Sequence, residues 1–300
     1  MTIPNFCTLN SRSVIEISGA DAKDFLQGLI TNDISAVGEA QAIYAALLTP
    51  QGKILFDFFI SQPQRAIYWL ECSSLQSADL AKRLTFYKLR ADVTIKPLGD
   101  DLKITCIWGE TATSLLDGRQ AGSALGGYGY VDPRSAQAGV RIITTAKQIE
   151  TTDMVLADDD AYTTHRVKLG LADSDNDIGT SERFAHECNL DMTNGVDFSK
   201  GCYVGQEVVS RMHHKQAARK RILPISASQS LGKGAALIAN EKNIGEVLTT
   251  VGTHALAVLR LDKADAALSA DHTITVDGAT VNLDRPDWVK FPFPGEIHDE

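Results

Sequence analysis

Chemically capable side chains are concentrated in two runs, RFAHECNLD over residues 183–191 and KGCYVGQEVVSRMHH over residues 200–214. Cys202 draws attention first. Lys200 lies two residues before it and a helical pattern opens at Val204, so a cation and the positive end of a helix dipole would both favour its thiolate. Cys202 is therefore the candidate for a reactive or metal-contacting thiol; the competing reading is a buried packing cysteine, a common fate of free Cys. Gly201 and Gly205 would let the backbone approach a ligand or turn sharply before the helix. The two oxygens of Glu187 suit the donor edge of a pterin, and an exposed or ion-paired carboxylate fits the same sequence. His213 and His214 project about 100° apart on a helix and cannot both face one metal ion. With no second cysteine or carboxylate at ligand spacing, no resident metal is expected.

Composition bounds these possibilities. The 300 residues are enough for about two domains, and 44% hydrophobic with 22% charged residues is ordinary for a globular protein. The start, MTIPNFCTLNSRSVIEISG, lacks a basic region followed by an apolar core, and no apolar run approaches the roughly 18 residues of a membrane span. The expected location is the cytoplasm, or the mitochondrial matrix in a eukaryote. Five cysteines without a C-x-x-C pair argue for a reducing compartment. Of the net charge of −9, residues 200–221 contribute six cations and one acid, so +5 sits in this stretch and −14 elsewhere. An anionic ligand or partner would be drawn there. The basic run from Lys215 to Arg221 has no interleaved aromatics for base stacking, which argues against nucleic acid.

The elements that must position these residues follow from periodicity. Val14–Ile17 reads as a strand, and Ser18 with Asp21 as a capping box opening a helix whose Ala22, Phe25, Leu26 and Leu29 share a face. Residues 42–48 and 54–60 read as a hairpin around the turn TPQGK, residues 49–53. Further strands are expected at 66–71, 92–96, 102–108 and 140–144, and helices near 75–89 and 158–168. This pattern is α+β with largely antiparallel sheets. After a boundary near 221, short strand-like runs recur to residue 283, the last two joined by Asp277 and Gly278, which predicts a small all-β barrel or sandwich. The expected domains are 1–220 and 221–300.

The run KGCYVGQE, residues 200–207, resembles the signature of YgfZ-type folate-binding proteins, relatives of the glycine-cleavage aminomethyltransferase. The resemblance extends to ECNLD (187–191), NGV (194–196), FLQGLITND (25–33) and LLTPQGKILFD (47–57), and is weak over 98–160 and in the C-terminal domain. It implies a T-protein-like fold, with two joined α+β parts around a central folate cavity and a C-terminal small β-barrel. It implies tetrahydrofolate or a one-carbon derivative as ligand, with Glu187 on the pterin and Asn32, Asp57, Lys200, Tyr203 and Arg211 as further contacts. It also implies Cys202 as the functional residue and iron–sulfur client or assembly proteins as partners.

Three departures matter. Ala185 stands where relatives favour Pro, residues 215–218 lack a Gly, and Phe56 stands beside Asp57 where aminomethyltransferases commonly carry two adjacent acids. With one acid lost, the resemblance favours an iron–sulfur assembly or repair factor over a folate-dependent one-carbon transferase. An RNA-associated accessory protein is the third reading.

Overall fold

The computed structural model describes residues 3–38, 40–145, 149, 153–214 and 218–296. The first half runs β1 (Asn5–Thr8), β2 (Arg12–Ser18), α1 (Ala22–Gln27), β3 (Ile43–Leu48), β4 (Ile54–Gln64), β5 (Ile67–Ser73), α2 (Ser77–Lys88) and β6 (Thr94–Pro97). It continues with β7 (Lys103–Trp108), β8 (Ala121–Ala124), β9 (Gly127–Val131), β10 (Val140–Thr144), β11 (Val155–Leu156), α3 (Asp159–Lys168) and α4 (Gln206–His214). The last part holds β12 (Lys220–Ala227), β13 (Ala236–Ala239), β14 (Lys242–Val251), β15 (His254–Arg260), α5 (Leu261–Leu268), β16 (Ile274–Val276) and β17 (Ala279–Leu283).

Two sheets form the core, ordered β3-β4-β5-β2-β6 and β11-β1-β7-β10-β9-β8, and the strands from β12 onward close a six-stranded barrel. Among the described strands every pairing is antiparallel except the short one between β1 and β11. The α+β fold with a C-terminal barrel is thus as expected.

Period-two alternation sorts side chains between layers. On β4, Phe56, Phe58 and Ile60 join the apolar layer that covers α1 and α2, with Leu26 and Leu80. Phe59 on the opposite face joins a layer shared with Tyr130 and Ile143 of the second sheet, Tyr203 and Val209 near α4, and Ile222 and Leu256 of the barrel. That shared layer makes one body of the sheets and barrel.

Some local expectations fail. Asp21 precedes α1 but gives it no side-chain cap; its carboxylate instead accepts the Asp92 backbone N–H at 2.8 Å, tying the helix entrance to the loop before β6. The helical pattern from Val204 becomes a helix only at Gln206. The β8–β9 hairpin and α5 had no expectation attached to them.

Candidate functional site

The segments that carry the resemblance converge around residues 200–207. The Lys200 ammonium donates to the carbonyls of Gln27, Ile30 and Asn32 at 2.9, 2.6 and 2.8 Å, closing the C-terminal end of α1. Burial pulls its pKa down to about 8, against the opposing pull of Asp33 and Asp197. The Tyr203 ring, itself buried, lies 5.0 Å from that ammonium. Asn32 spans the same junction, donating to the carbonyls of Tyr44 and Asn194, both at 2.8 Å. On the other side Gly205, at φ +83°, packs on the β3–β4 turn so closely that a Cβ there would lie 2.5 Å from the Thr49 carbonyl oxygen. Lysine and glycine in the signature therefore have structural work: they fasten the loop to α1 and to the TPQGK turn.

Cys202 rides on this fastened loop and is exposed, whereas Cys7, Cys72, Cys106 and Cys188 are buried. The packing-cysteine reading does not apply to it. Burial pushes Cys7 and Cys72 up to about 12 and also raises Cys188. Lys200 does not offer Cys202 a free ammonium, since its N–H groups donate to three carbonyls. Cys202 also lies four residues before α4 rather than at its first turn. Among the described residues no group of three or more His, Cys, Asp or Glu could hold a metal ion.

The basic stretch is less of a surface than its charge suggested. Lys200 is internal, and Arg221 is buried with its guanidinium bidentate on Asp191 at 2.7 and 2.9 Å. Arg211 is exposed on α4, and Lys215 lies outside the described residues.

A separate cavity of about 170 Å³ lies between the two sheets and α3. Asp57 and Phe59 face it from β4, with Arg12, Arg134, Arg141 and Arg166 around them. Arg134 and Arg141 cover Phe59, 4.8 and 4.4 Å from its ring centre. Each arginine has an acid partner: Arg12 and Arg141 pair with Glu71, Arg134 and Arg141 with Asp132, and Arg166 with Asp177. Tyr130 also donates to Glu71, at 2.5 Å. Burial raises the Asp57 pKa although Arg12 and bonds from Ser174 and Tyr44 oppose it; the Tyr44 hydroxyl donates at 2.9 Å.

Two site residues fall elsewhere. One oxygen of Glu187 accepts the Phe184 N–H at 2.9 Å, fixing its own turn, and Glu187 is not among the residues lining this cavity. Phe56 points away from the cavity, into the layer under α1. Strand alternation therefore gives the cavity one acid from this pair, and Asp57 is the one present. A carboxylate at position 56 would face that apolar layer and not the cavity.

The arginines and their partners Glu71 and Asp132 were not anticipated, because they come from β2, β5, β9–β10 and α3 with no common sequence signal. A folate is the ligand that the sequence resemblance implies. Small-molecule sites commonly measure about 300–1,000 Å³, so this cavity, with Asp57 on its wall, has room for a single ring system and not for a whole folate.

The GCVT N-terminal domain family matches residues 7–138, and the CAF17 C-terminal beta-barrel domain family matches residues 219–291. The solved aminomethyltransferase T of the Bartonella henselae glycine cleavage system superposes with a TM-score of 0.77 at 16% identity, covering 97% of this chain and 88% of that one, a likeness of fold. The human mitochondrial iron-sulfur cluster assembly factor IBA57 is 31% identical over 309 residues, 93% of this chain and 84% of that protein. A Neurospora crassa homologue is 35% identical over 231 residues, 72% of this chain and 52% of its own length, so the chain spans about half of that relative. Both are named mitochondrial, and the cytoplasmic expectation finds no support among them. Among the described residues no helix is long and apolar enough to cross a membrane. By its identity to the human protein along nearly the whole chain, with a GCVT-type core ahead of a CAF17-type barrel, the chain belongs to the IBA57 family, within the broader YgfZ-like group that the signature indicated.

Proposed function

We propose that this protein supports assembly or repair of iron–sulfur proteins by presenting Cys202 to a cluster or to the partner that carries one, and that its central cavity takes the head of tetrahydrofolate or a one-carbon derivative. The observation that carries the first part is that Cys202 alone of the five cysteines is exposed, on a loop held at both ends. A single thiol cannot enclose a cluster, so the remaining ligands come from a client or assembly protein. The relatives' names support this role. In the folate part, Asp57 would meet the donor edge of the pterin, and the folate would supply a reduced ring or a one-carbon unit. The reading suits a reducing compartment, and the relatives' names favour the mitochondrion.

Depleting the protein from cells tests the role: a [4Fe–4S] enzyme should lose activity while its polypeptide remains, and wild-type protein should restore it. Unchanged activity on full depletion would remove the proposal.

Asp57 favours one alternative, a folate-dependent one-carbon transferase, because a buried carboxyl faces the cavity. An assay for methylenetetrahydrofolate formation from an aminomethyl donor separates the two. The assembly reading expects no turnover, and robust turnover would replace it.

A further inference from the structure

A second pocket, of about 400 Å³, lies at the seam between the α+β core and the barrel, apart from both Cys202 and the central cavity. The core contributes His186 and Met192, α4 contributes Met212 and His213, and the barrel side contributes Leu261 and Phe291. Its volume falls within the range of about 300–1,000 Å³ usual for small-molecule sites.

Unmet hydrogen-bonding capacity is gathered at one wall. His186 is 2% exposed, and neither of its ring nitrogens has a hydrogen-bond partner among the described residues. The nearest acid, Asp191, stands 3.9 Å from Nε2 and is occupied by Arg221. Arg221 Nε is likewise unpartnered, although its guanidinium is held by Asp191, by the His186 carbonyl at 2.9 Å and over the Phe291 ring at 4.6 Å. Buried polar groups are nearly always satisfied, so two such side chains on one pocket point to something that binds there.

Charge and apolarity narrow the class. Arg221 and Lys290 outnumber Asp191, so the pocket is net positive and repels a cation. Burial lowers the His186 pKa, with Arg221 and His213 adding to the effect and Asp191 opposing it, which leaves a neutral ring with one donor and one acceptor. Met192, Met212, Leu261, Phe291 and Pro292 supply the rest of the wall.

We propose that this seam pocket binds a small organic anion with an apolar or aromatic body, its acid group toward His186, Arg221 and Lys290 and its body against the methionines and Phe291. The bound anion bridges α4, which follows the Cys202 loop, to the barrel.

Benzoate is the direct probe, with benzamide as its neutral counterpart and inorganic phosphate as an anion without the apolar body. Histidine-ring NMR of the full chain reads the titrations. Benzoate should move the His186 and His213 ring resonances and bind about tenfold more tightly than benzamide, the difference expected of a charge-assisted bond, and phosphate should bind more weakly than benzoate. Lys290 is exposed, so Lys290→Gln preserves the fold and should weaken benzoate about two- to fivefold without changing benzamide. No movement of the His186 resonances, equal binding of benzamide or of phosphate, or full benzoate affinity in Lys290→Gln would each overturn the proposal.

Discussion

Replacing Gly205 with alanine tests whether the signature loop is fastened to the hairpin turn as described. The backbone there has φ +83°, and the added Cβ would lie 2.5 Å from the Thr49 carbonyl oxygen, 2.9 Å from the Leu48 Cβ and 3.2 Å from the Gly52 Cα. A left-handed non-glycine residue costs about 1–2 kcal/mol, and forcing atoms into a packed region about 1–3 kcal/mol. Neither neighbour can yield cheaply, because the Thr49 oxygen and the Gly52 Cα are backbone. The expected loss is about 2–5 kcal/mol, a large share of the roughly 5–15 kcal/mol that holds a typical protein folded. Gly201 is the matched control, since a Cβ there would meet nothing within 4 Å. Urea unfolding should show a much lower midpoint for Gly205→Ala at an unchanged slope, and Gly201→Ala within about 0.5 kcal/mol of wild type. Equal midpoints for the two variants would refute the contact between the loop and the turn.

Acid should expose the Glu71 network. Burial by itself would raise Glu71, but Arg141, Arg12 and the bond from Tyr130 hold it at about 2, below its ordinary 4.5. The unfolded chain then binds the extra proton first, so about 3 kcal/mol of stability present above pH 4.5 drains away as pH falls toward 2. Unfolding measured across that window should show this loss in wild type and a shallower one in Glu71→Gln; parallel curves would dismiss the network. In the native protein at neutral pH, iodoacetamide should label Cys202 first, with mass spectrometry finding Cys7, Cys72, Cys106 and Cys188 protected; early labelling of any of these contradicts their burial. For folate, calorimetry with tetrahydrofolate should find Asp57→Ala weakened roughly 10- to 150-fold and Glu187→Ala changed far less. The reverse order would return the pterin to Glu187.

What could be read from the chain was what depends on local pattern. The β3–β4 hairpin shows itself through two β-prone runs and a turn containing Pro50 and Gly52, and the barrel through short strands closing on Asp277-Gly278. The β8–β9 hairpin gave little signal because Ala121–Ala124 holds no β-branched or aromatic residue and Gly127–Val131 interrupts its tyrosines with glycines, which weaken a strand pattern. Helix α5 was hidden where the strand-like run of β15 passes directly into Leu261.

The candidate site was legible at its most unusual residue, Cys202, and opaque in its supports. Lys200 looked like a free cation beside a thiol, but its three partners come from residues 27–32, and no sequence spacing reveals such a contact. Arg12, Arg134, Arg141 and Arg166 share no sequence motif, and only the fold brings them around one cavity. Nothing in the sequence signals that neither ring nitrogen of His186 would have a hydrogen-bond partner among the described residues.

Rescue by Cys202→Ala tests the central claim most directly. In cells lacking the protein, wild type and variant should be expressed to equal abundance, with unfolding confirming that the variant folds, and the activity of a [4Fe–4S] enzyme measured. Because Cys202 is exposed, its loss should leave stability nearly unchanged. The account predicts that the wild type restores the enzyme and the variant does so poorly. Full rescue by Cys202→Ala at equal abundance would contradict it.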